Sequence, residues 1–254
     1  MSHLDANLNK QLIITLFNNN VRGKEIQIGE DVNSNHSGKY GHWLETQMGV
    51  AHNAKNEPDI NGYEMKTGKS VTTFIDKSPD AMLLNGMEIP KRNKILKSQF
   101  WEKHASIKQS SEPTIGGWKV DRWNALGQKM VVNEDNSVSI VYNYAHDTRT
   151  DKESEESEEN KESKEIMKWN AQSLRHAIEN KFNKNGFFKC IKCPEGRNVY
   201  TKICFGSPIT FDMWVNKLKS GIIYHDGYSK LNGRGRHVFR AMNDFWDGLI
   251  VEEF

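Results

Sequence analysis

Cysteine is scarce in this chain, with only Cys190, Cys193 and Cys204 in 254 residues. Three clustered thiols cannot build a disulfide scaffold, so the fold is expected to rest on packing in a reducing, cytoplasmic setting. Long apolar runs are missing as well. Leu12 to Phe17 is six residues long and contains Thr15, far short of the roughly 20 residues that cross a bilayer. No membrane partner is expected. The N-terminal Met1-Ser2-His3-Leu4-Asp5 has no basic patch followed by an apolar stretch, which argues against a secretory signal. A strong charge of one sign is absent too, the formal net charge being +2. What is present is a 36% hydrophobic fraction, enough to fill a core and too much for a wholly disordered chain.

The small net charge conceals an asymmetry. Residues 151–165 hold eight acids and three lysines, a local charge of −5 that leaves +7 on the other 239 residues. A body so basic suits a polyanionic partner, although charge alone does not single one out. The segment contains only Asp, Glu, Lys, Ser and Asn, with nothing apolar to bury, and is expected to be a disordered acidic insert joining two parts of one domain. Apolar residues resume at once with Ile166, Met167 and Trp169.

The periodicities alternate between helix and strand. Leu4, Leu8, Leu12 and Phe17 predict a helix over residues 4–18, stopped by Asn18-Asn19-Asn20 and Gly23. A short helix is expected over 41–48, strands over 63–67, 71–75 and 138–144, and an amphipathic helix over 171–182. Residues 187–191 and 198–205 read as a hairpin around Pro194-Glu195-Gly196, and a helix from Thr210 to Lys219 is ended by Gly221. Mixed strands and helices point to an α/β layer fold.

The most informative stretch is Pro58-Asp59-Ile60-Asn61-Gly62-Tyr63-Glu64-Met65-Lys66. Asn and Gly both tolerate positive φ, so Asn61-Gly62 marks a tight turn that returns Asp59 toward the strand starting at Tyr63. On a strand Glu64 and Lys66 leave one face, while Tyr63, Met65 and Thr67 leave the other. Two carboxylates and an ammonium then converge at a turn-strand junction. Asp59 and Glu64 supply hard oxygen ligands suited to Mg²⁺, which takes one or two carboxylates and keeps several waters. Such an ion offsets charge on a scissile phosphate and lowers the pKa of a bound water, which Lys66 can orient or help deprotonate. The chain has three other Glu-x-Lys triplets: two lie in the acidic insert and the third, Glu179-Asn180-Lys181, in the expected helix, where a two-residue spacing points side chains apart. A surface ion pair on an edge strand is the plain alternative for the first triplet.

The residues Gly38-Lys39-Tyr40-Gly41-His42-Trp43-Leu44-Glu45, Gly49, Pro58-Asp59 and Gly62-Tyr63-Glu64-Met65-Lys66-Thr67 resemble the PD-(D/E)XK nucleases. Within them the segment 38–76 is similar to the MvaI, BcnI and LlaMI group of type II restriction endonucleases, and to the related MutH nicking endonuclease. The resemblance implies a mixed central β-sheet flanked by helices and a Mg²⁺-dependent endonuclease acting on double-stranded DNA. It implies Asp59, Glu64 and the Met65 backbone carbonyl as metal ligands, Lys66 beside the attacking water, and Glu45 as the helix acid near the metal.

A second basic region runs from Tyr224 to Arg240 and mixes three glycines with tyrosine, histidine and four basic residues. Glycines allow close approach to a groove, and arginine can bind guanine O6 and N7 together. Arg234 and Arg236 at two-residue spacing suit one groove, Asp226 can accept from cytosine N4, and Lys230 and Arg240 suit phosphates. Tyr228 and His237 complete the candidate set. A solvated basic turn is the plain alternative. The MvaI-like enzymes also carry a late basic loop ending in Phe-Arg, as Phe239-Arg240 does here, which implies DNA recognition in this region. The organisation expected is a single domain over 1–254, with a catalytic part over about 1–150, the insert at 151–165 and a recognition part over about 166–254.

Weaker features fit ordinary structure. Cys190-Ile191-Lys192-Cys193 has metal-ligand spacing, but a zinc site needs four ligands, which His225 or His237 would have to complete. The seven tryptophans, Trp101, Trp118 and Trp123 among them, are expected mainly in the core. Gly116-Gly117-Trp118-Lys119 and Lys91-Arg92-Asn93-Lys94 read as surface loops. The sequence thus points to a site-specific DNA endonuclease of a restriction system, acting on a short target of the CC-N-GG kind as a monomer or homodimer. A MutH-like nicking enzyme and a non-catalytic DNA-binding protein are the rivals.

Overall fold

A computed structural model describes residues 3–27, 39–50, 56–67, 71–107, 113–150, 162–195, 198–230 and 236–254. In chain order its helices are α1 (His3–Asn20), α2 (Lys39–Gln47), α3 (Lys94–His104), α4 (Ala171–Phe182), α5 (Phe211–Lys219) and α6 (Asn243–Asp247). The strands are β1 (Glu64–Thr67), β2 (Val71–Asp76), β3 (Ala81–Leu84), β4 (Met87–Glu88), β5 (Ser106–Ile107), β6 (Pro113–Gly116), β7 (Leu126–Val132) and β8 (Val138–Asp147), then β9 (Lys164–Trp169), β10 (Phe187–Lys192), β11 (Tyr200–Gly206), β12 (Ile223–His225), β13 (Tyr228–Lys230), β14 (Val238–Met242) and β15 (Ile250–Glu253). Among the described residues no helix is long and apolar enough to cross a membrane.

The chain divides into two units, each assembled from separated stretches. One comprises Met1–Thr72, Ile178–Thr210 and Met242–Phe254; the other comprises Thr73–Ala177 and Phe211–Ala241. The expected division near residue 150 is therefore not the one that chain packing follows. β1 pairs with β10, so the strand bearing Glu64 and Lys66 takes its neighbours from the last third of the chain.

In the first unit the sheet order is β1-β10-β11-β15. β1 and β10 run parallel, with Glu64 opposite Phe187 and Lys66 opposite Lys189. The remaining pairs are antiparallel, giving a mixed sheet. Strand alternation places Tyr63 and Met65 in one core with Ile13, Ile14 and Phe17 of α1, Leu44 of α2, and Phe188, Cys190, Ile203 and Phe205 of the sheet. The helix expected at the N-terminus forms, but its buried stripe is Ile13, Ile14, Phe17 and Val21, while Leu8 and Leu12 are exposed. Ile13 and Ile14 start a stripe that continues at Phe17 and Val21, and tertiary burial selects it over the leucine row. On the other sheet face lie Phe187, Phe182 and Trp246, with Trp246 in edge contact with Phe187 at 5.1 Å between centroids.

The second unit contains the antiparallel sheet β4-β3-β9-β8-β7 and two three-stranded sheets, β12-β14-β2 and β13-β6-β5. β8 and β9 are adjacent antiparallel partners, from Val138 opposite Trp169 to Tyr142 opposite Lys164. The strands that flank the acidic segment are thus paired with each other and belong to the same unit. Lys164 and Glu165, expected in the insert, belong to β9, because they extend the ladder that Ile166, Met167 and Trp169 anchor. Residues 151–161 lie outside the described residues.

The core of this unit is aromatic. Trp118, Trp169, Trp214 and Phe239 are buried around the imidazoles of His225 and His237, with Trp118 4.7 Å from His225 between centroids. The indole N–H groups of Trp118 and Trp169 donate to Gln128 Oε1 at 3.0 Å and the Lys77 carbonyl at 2.8 Å, which satisfies their polar edges. Trp118 lies in the core, as expected for the tryptophans, while its neighbours Gly117 and Lys119 are exposed. Trp101 is also buried, whereas Trp123 is half-buried and stacks on His146 at 4.2 Å.

Burial drives the His237 imidazole down to about 4 and the His225 imidazole well below its usual value. A base with a depressed folded pKa contributes stability above its unfolded pKa of about 6.5 and loses it as pH falls toward the folded value. Thermal unfolding followed by circular dichroism should therefore show the midpoint dropping as pH falls from 6.5 to 4. The effect should be on the order of 2 kcal/mol for His237, and His237→Gln should flatten the slope.

Candidate active site

The Asn61-Gly62 reversal forms as a two-residue turn, with φ of 48° at Asn61 and 83° at Gly62. Ile60 and Tyr63 exchange backbone hydrogen bonds of 3.0 and 2.8 Å across it. Asn185 donates to the Asn61 carbonyl at 3.0 Å, and the Glu64 N–H donates to the Gly186 carbonyl at 3.1 Å. The turn is thus tied to the approach of β10. It brings Asp59 alongside β1, where Oδ2 accepts the Met65 N–H at 2.8 Å.

Glu64 is buried, with 4% of its side chain exposed. Its Oε1 accepts from Lys66 Nζ at 2.8 Å and from Lys181 Nζ at 2.9 Å. Its Oε2 is buried with no hydrogen-bond partner. Burial alone would raise the Glu64 carboxyl, but the two ammonium groups outweigh it and hold the group below its ordinary value. Asp59 moves the other way: burial and the Glu64 charge beside it push its carboxyl up to about 6. Burial also pulls the Lys66 ammonium down, against the attraction of Glu64. The apolar side of Lys66 is closed by Phe182 and Trp246, whose ring centroids lie 5.1 and 5.4 Å from Nζ.

The structure therefore unites Asp59, Glu64 and Lys66 at one point, as the turn and the strand alternation predict. Met65 turns its side chain into the opposite core. Glu45 sits on α2 beside His42, whose Nδ1 is 3.2 Å from Glu45 Oε2. Gly41, one turn earlier on the helix, faces Thr67 of β1; a Cβ there would lie 4.0 Å from the threonine methyl.

Two lysines of this site were not singled out from sequence. Lys181 lies in the last turn of α4, and Lys189 stands beside Lys66 in the sheet, with Nζ donating to Asn243 Oδ1 at 2.6 Å and paired with Asp247. Lys189 carried a legible signal: a lysine in the apolar run Phe187-Phe188-Lys189-Cys190-Ile191 is rarely buried without a partner. Lys181 carried none, because its contact with Glu64 depends on the parallel pairing of β1 and β10.

The candidate DNA-reading residues all belong to the second unit. Arg236 is exposed, and its Nε lies 3.3 Å from Asp76 Oδ2. Tyr228 is exposed and exchanges backbone hydrogen bonds with Arg236. Asp226 pairs with Arg240 at 3.2 Å. Lys230 lies in β13, and Arg234 falls outside the described residues. His237 departs from the expectation. Its ring is buried between Trp118, Trp169 and His225, with Nδ1 3.3 Å from His225 Nε2, so it packs the interior instead of facing a groove. Gly227 permits the close approach of this hairpin, since a Cβ there would come within 2.1 Å of the Arg236 carbonyl oxygen.

Among the described residues no group of three or more His, Cys, Asp or Glu is placed to hold a metal ion. Cys190 and Cys204 are buried thiols, so the Cys190–Cys193 spacing does not build a zinc site. Asp59 and Glu64 are two carboxylates, the number that Mg²⁺ takes when waters complete its shell.

Residues 21–254 match the family described as LlaMI restriction endonuclease. The type II restriction enzyme ScrFI of Lactococcus lactis subsp. cremoris is 33% identical over 273 aligned positions, covering 97% of this chain and 98% of that enzyme. Among solved structures, the restriction endonuclease MvaI in complex with its cognate DNA substrate superposes with a TM-score of 0.62 at 13% identity. That match covers all of this chain and 98% of MvaI. MvaI in the absence of DNA gives a TM-score of 0.51 at 14% identity. These structural likenesses match the mixed α/β, restriction-endonuclease-like architecture expected from the sequence.

A side chain at residue 62 must adopt positive φ, which costs an L-residue about 1–2 kcal/mol. Gly62→Ala should lower stability by about that amount in urea denaturation. It should lower cleavage more steeply than stability, because the turn sets the distance between Asp59 and β1.

Proposed function

Because the chain belongs to the LlaMI restriction endonuclease family and is a type II site-specific deoxyribonuclease, we propose that Asp59, Glu64 and Lys66 cut double-stranded DNA with Mg²⁺. The observation that carries this reading is the Glu64 carboxylate, whose buried Oε2 lacks a partner while burial, together with that carboxylate, pushes Asp59 beside it up. Two crowded carboxylates with an orphaned oxygen fit a hard divalent cation, with the Met65 carbonyl as a third protein ligand. Bound there, the ion would lower the pKa of a water and offset charge on the scissile phosphate. Lys66, held by Glu64 on one side and by aromatic rings on the other, orients that water or a phosphate oxygen. Glu45 is assigned to the same site as the acid contributed by the preceding helix.

Sequence reading is assigned to Asp226, Tyr228, Arg234 and Arg236, with Lys230 and Arg240 on phosphates. Paired arginines favour guanine-rich half-sites, which agrees with a target of the CC-N-GG kind. The protein acts in the cytoplasm on duplex DNA, as a monomer or homodimer.

Digestion of a plasmid with Mg²⁺ should give discrete fragments whose mapped ends share one short sequence, and EDTA should abolish them. Fragments of random length, or cleavage unaffected by EDTA, would overturn the reading. Lys66→Ala should lose cleavage by a factor of at least about 10² while keeping duplex binding in Ca²⁺. Arg236→Ala should weaken binding to the mapped site by about 1–3 kcal/mol and binding to random duplex far less, measured by gel shift. Equal loss on both duplexes would reassign Arg236 to phosphate contact.

A further inference from the structure

Glu64 already has a full counter-ion in Lys66, 2.8 Å away and almost completely buried. Lys181 brings a second ammonium to the same oxygen at 2.9 Å, with its side chain 21% exposed. A structural ion pair needs only one cation, and two like charges on one oxygen repel. The Lys66 ammonium is itself driven further down by Lys181, after the larger effect of burial. Lys181 stands in the last turn of α4, where the helix C-terminus favours a positive charge. Counting Asp59 and Glu64 against Lys66 and Lys181, the four groups sum to zero.

Electroneutrality has a consequence for a divalent ion. A pair of carboxylates attracts it strongly, but two ammonium groups at hydrogen-bond distance from one of those carboxylates cancel the attraction. A phosphate of DNA carries the missing negative charge. On the reading of Asp59 and Glu64 as metal ligands, we propose that Lys181 keeps the site neutral, so that the DNA-free protein binds a divalent ion weakly and DNA binding strengthens that affinity. By linkage the ion strengthens DNA binding by the same factor. Lys181 acts through Glu64 and is a positioning residue in this scheme.

The test titrates Mn²⁺ into the DNA-free protein by calorimetry. Lys181→Gln keeps a hydrogen-bond donor for Glu64 but removes the charge, and should bind Mn²⁺ about tenfold more tightly than the parent. Lys181→Arg keeps the charge and should stay within about twofold of the parent. Lys181→Met repeats the loss of charge without a donor and should tighten binding in the same direction, with circular dichroism reporting whether it folds. If Lys181→Gln binds Mn²⁺ no more tightly than the parent, or if Lys181→Arg tightens it equally, the inference falls. Glu64→Gln separates this failure from that of the metal-ligand reading: unchanged Mn²⁺ binding in that variant would remove the metal from Glu64 altogether. In gel shifts with a duplex carrying the mapped cut site, Ca²⁺ should tighten binding by the parent several-fold, and no change would refute the role given to the phosphate.

Discussion

A single buried carboxylate organises the first unit. Removing Glu64 from water is unfavourable unless it is paired, and losing one partner of a buried ion pair costs about 3–5 kcal/mol. Its partners come from three directions. Lys66 leaves the same strand face two residues on, Lys181 arrives from the end of α4, and Phe182 and Trp246 close the dry side of Lys66. None of this assembles unless β10 pairs in parallel with β1, because that pairing carries the end of α4 back to Glu64. The core beneath, from Ile13 and Phe17 to Phe188 and Phe205, fixes that pairing by burying the opposite face of the same strands. The proposed chemistry and the stability of the unit thus share one sheet, divided by the alternation of its side chains.

Asp59 and Glu64 lie close together yet are driven in opposite directions. Glu64 is buried more deeply but has two ammonium groups at hydrogen-bond distance, which hold it ionised. Asp59 has a backbone N–H and more distant charges, so burial prevails and its carboxyl rises to about 6. Neighbouring titratable groups whose environments push them apart are a recurrent mark of functional sites. Structural ion-pair networks perturb carboxylates too, but they leave their oxygens partnered. The orphaned Glu64 Oε2 is the feature on which the proposed metal-binding role rests.

What the sequence made legible was local. Asn61-Gly62 specified its turn by tolerance of positive φ, and strand alternation separated Glu64 and Lys66 from Tyr63 and Met65. Helix α4 and the β10–β11 hairpin followed from period and turn chemistry in the same way. What was not legible depended on pairings distant in sequence. α1 offered two apolar stripes, and only tertiary burial chose the one containing Ile13 and Phe17. Lys181 looked like one more helical charge until β10 brought it to Glu64. The pairing of β8 with β9 on either side of the acidic segment cannot be seen in its composition. His237 sits among basic residues in sequence, but alternation along the hairpin turns it inward against Trp118 and Trp169.

The arginines proposed to meet DNA are already paired with aspartates, Arg236 with Asp76 and Arg240 with Asp226. Magnitudes decide whether that pairing obstructs the role. The Arg236 and Asp76 side chains are 59% and 36% exposed, and exposed ion pairs contribute about 0–1 kcal/mol. A bidentate contact with guanine is worth about 1–3 kcal/mol of discrimination. On the proposed reading, exchanging the aspartate for a base edge is therefore favourable. The same comparison excludes His237. Its imidazole is almost wholly buried and neutral, so exposing it would open the aromatic core of its unit for the sake of one contact. Between two basic-looking neighbours, burial leaves Arg236 available and commits His237 to the interior.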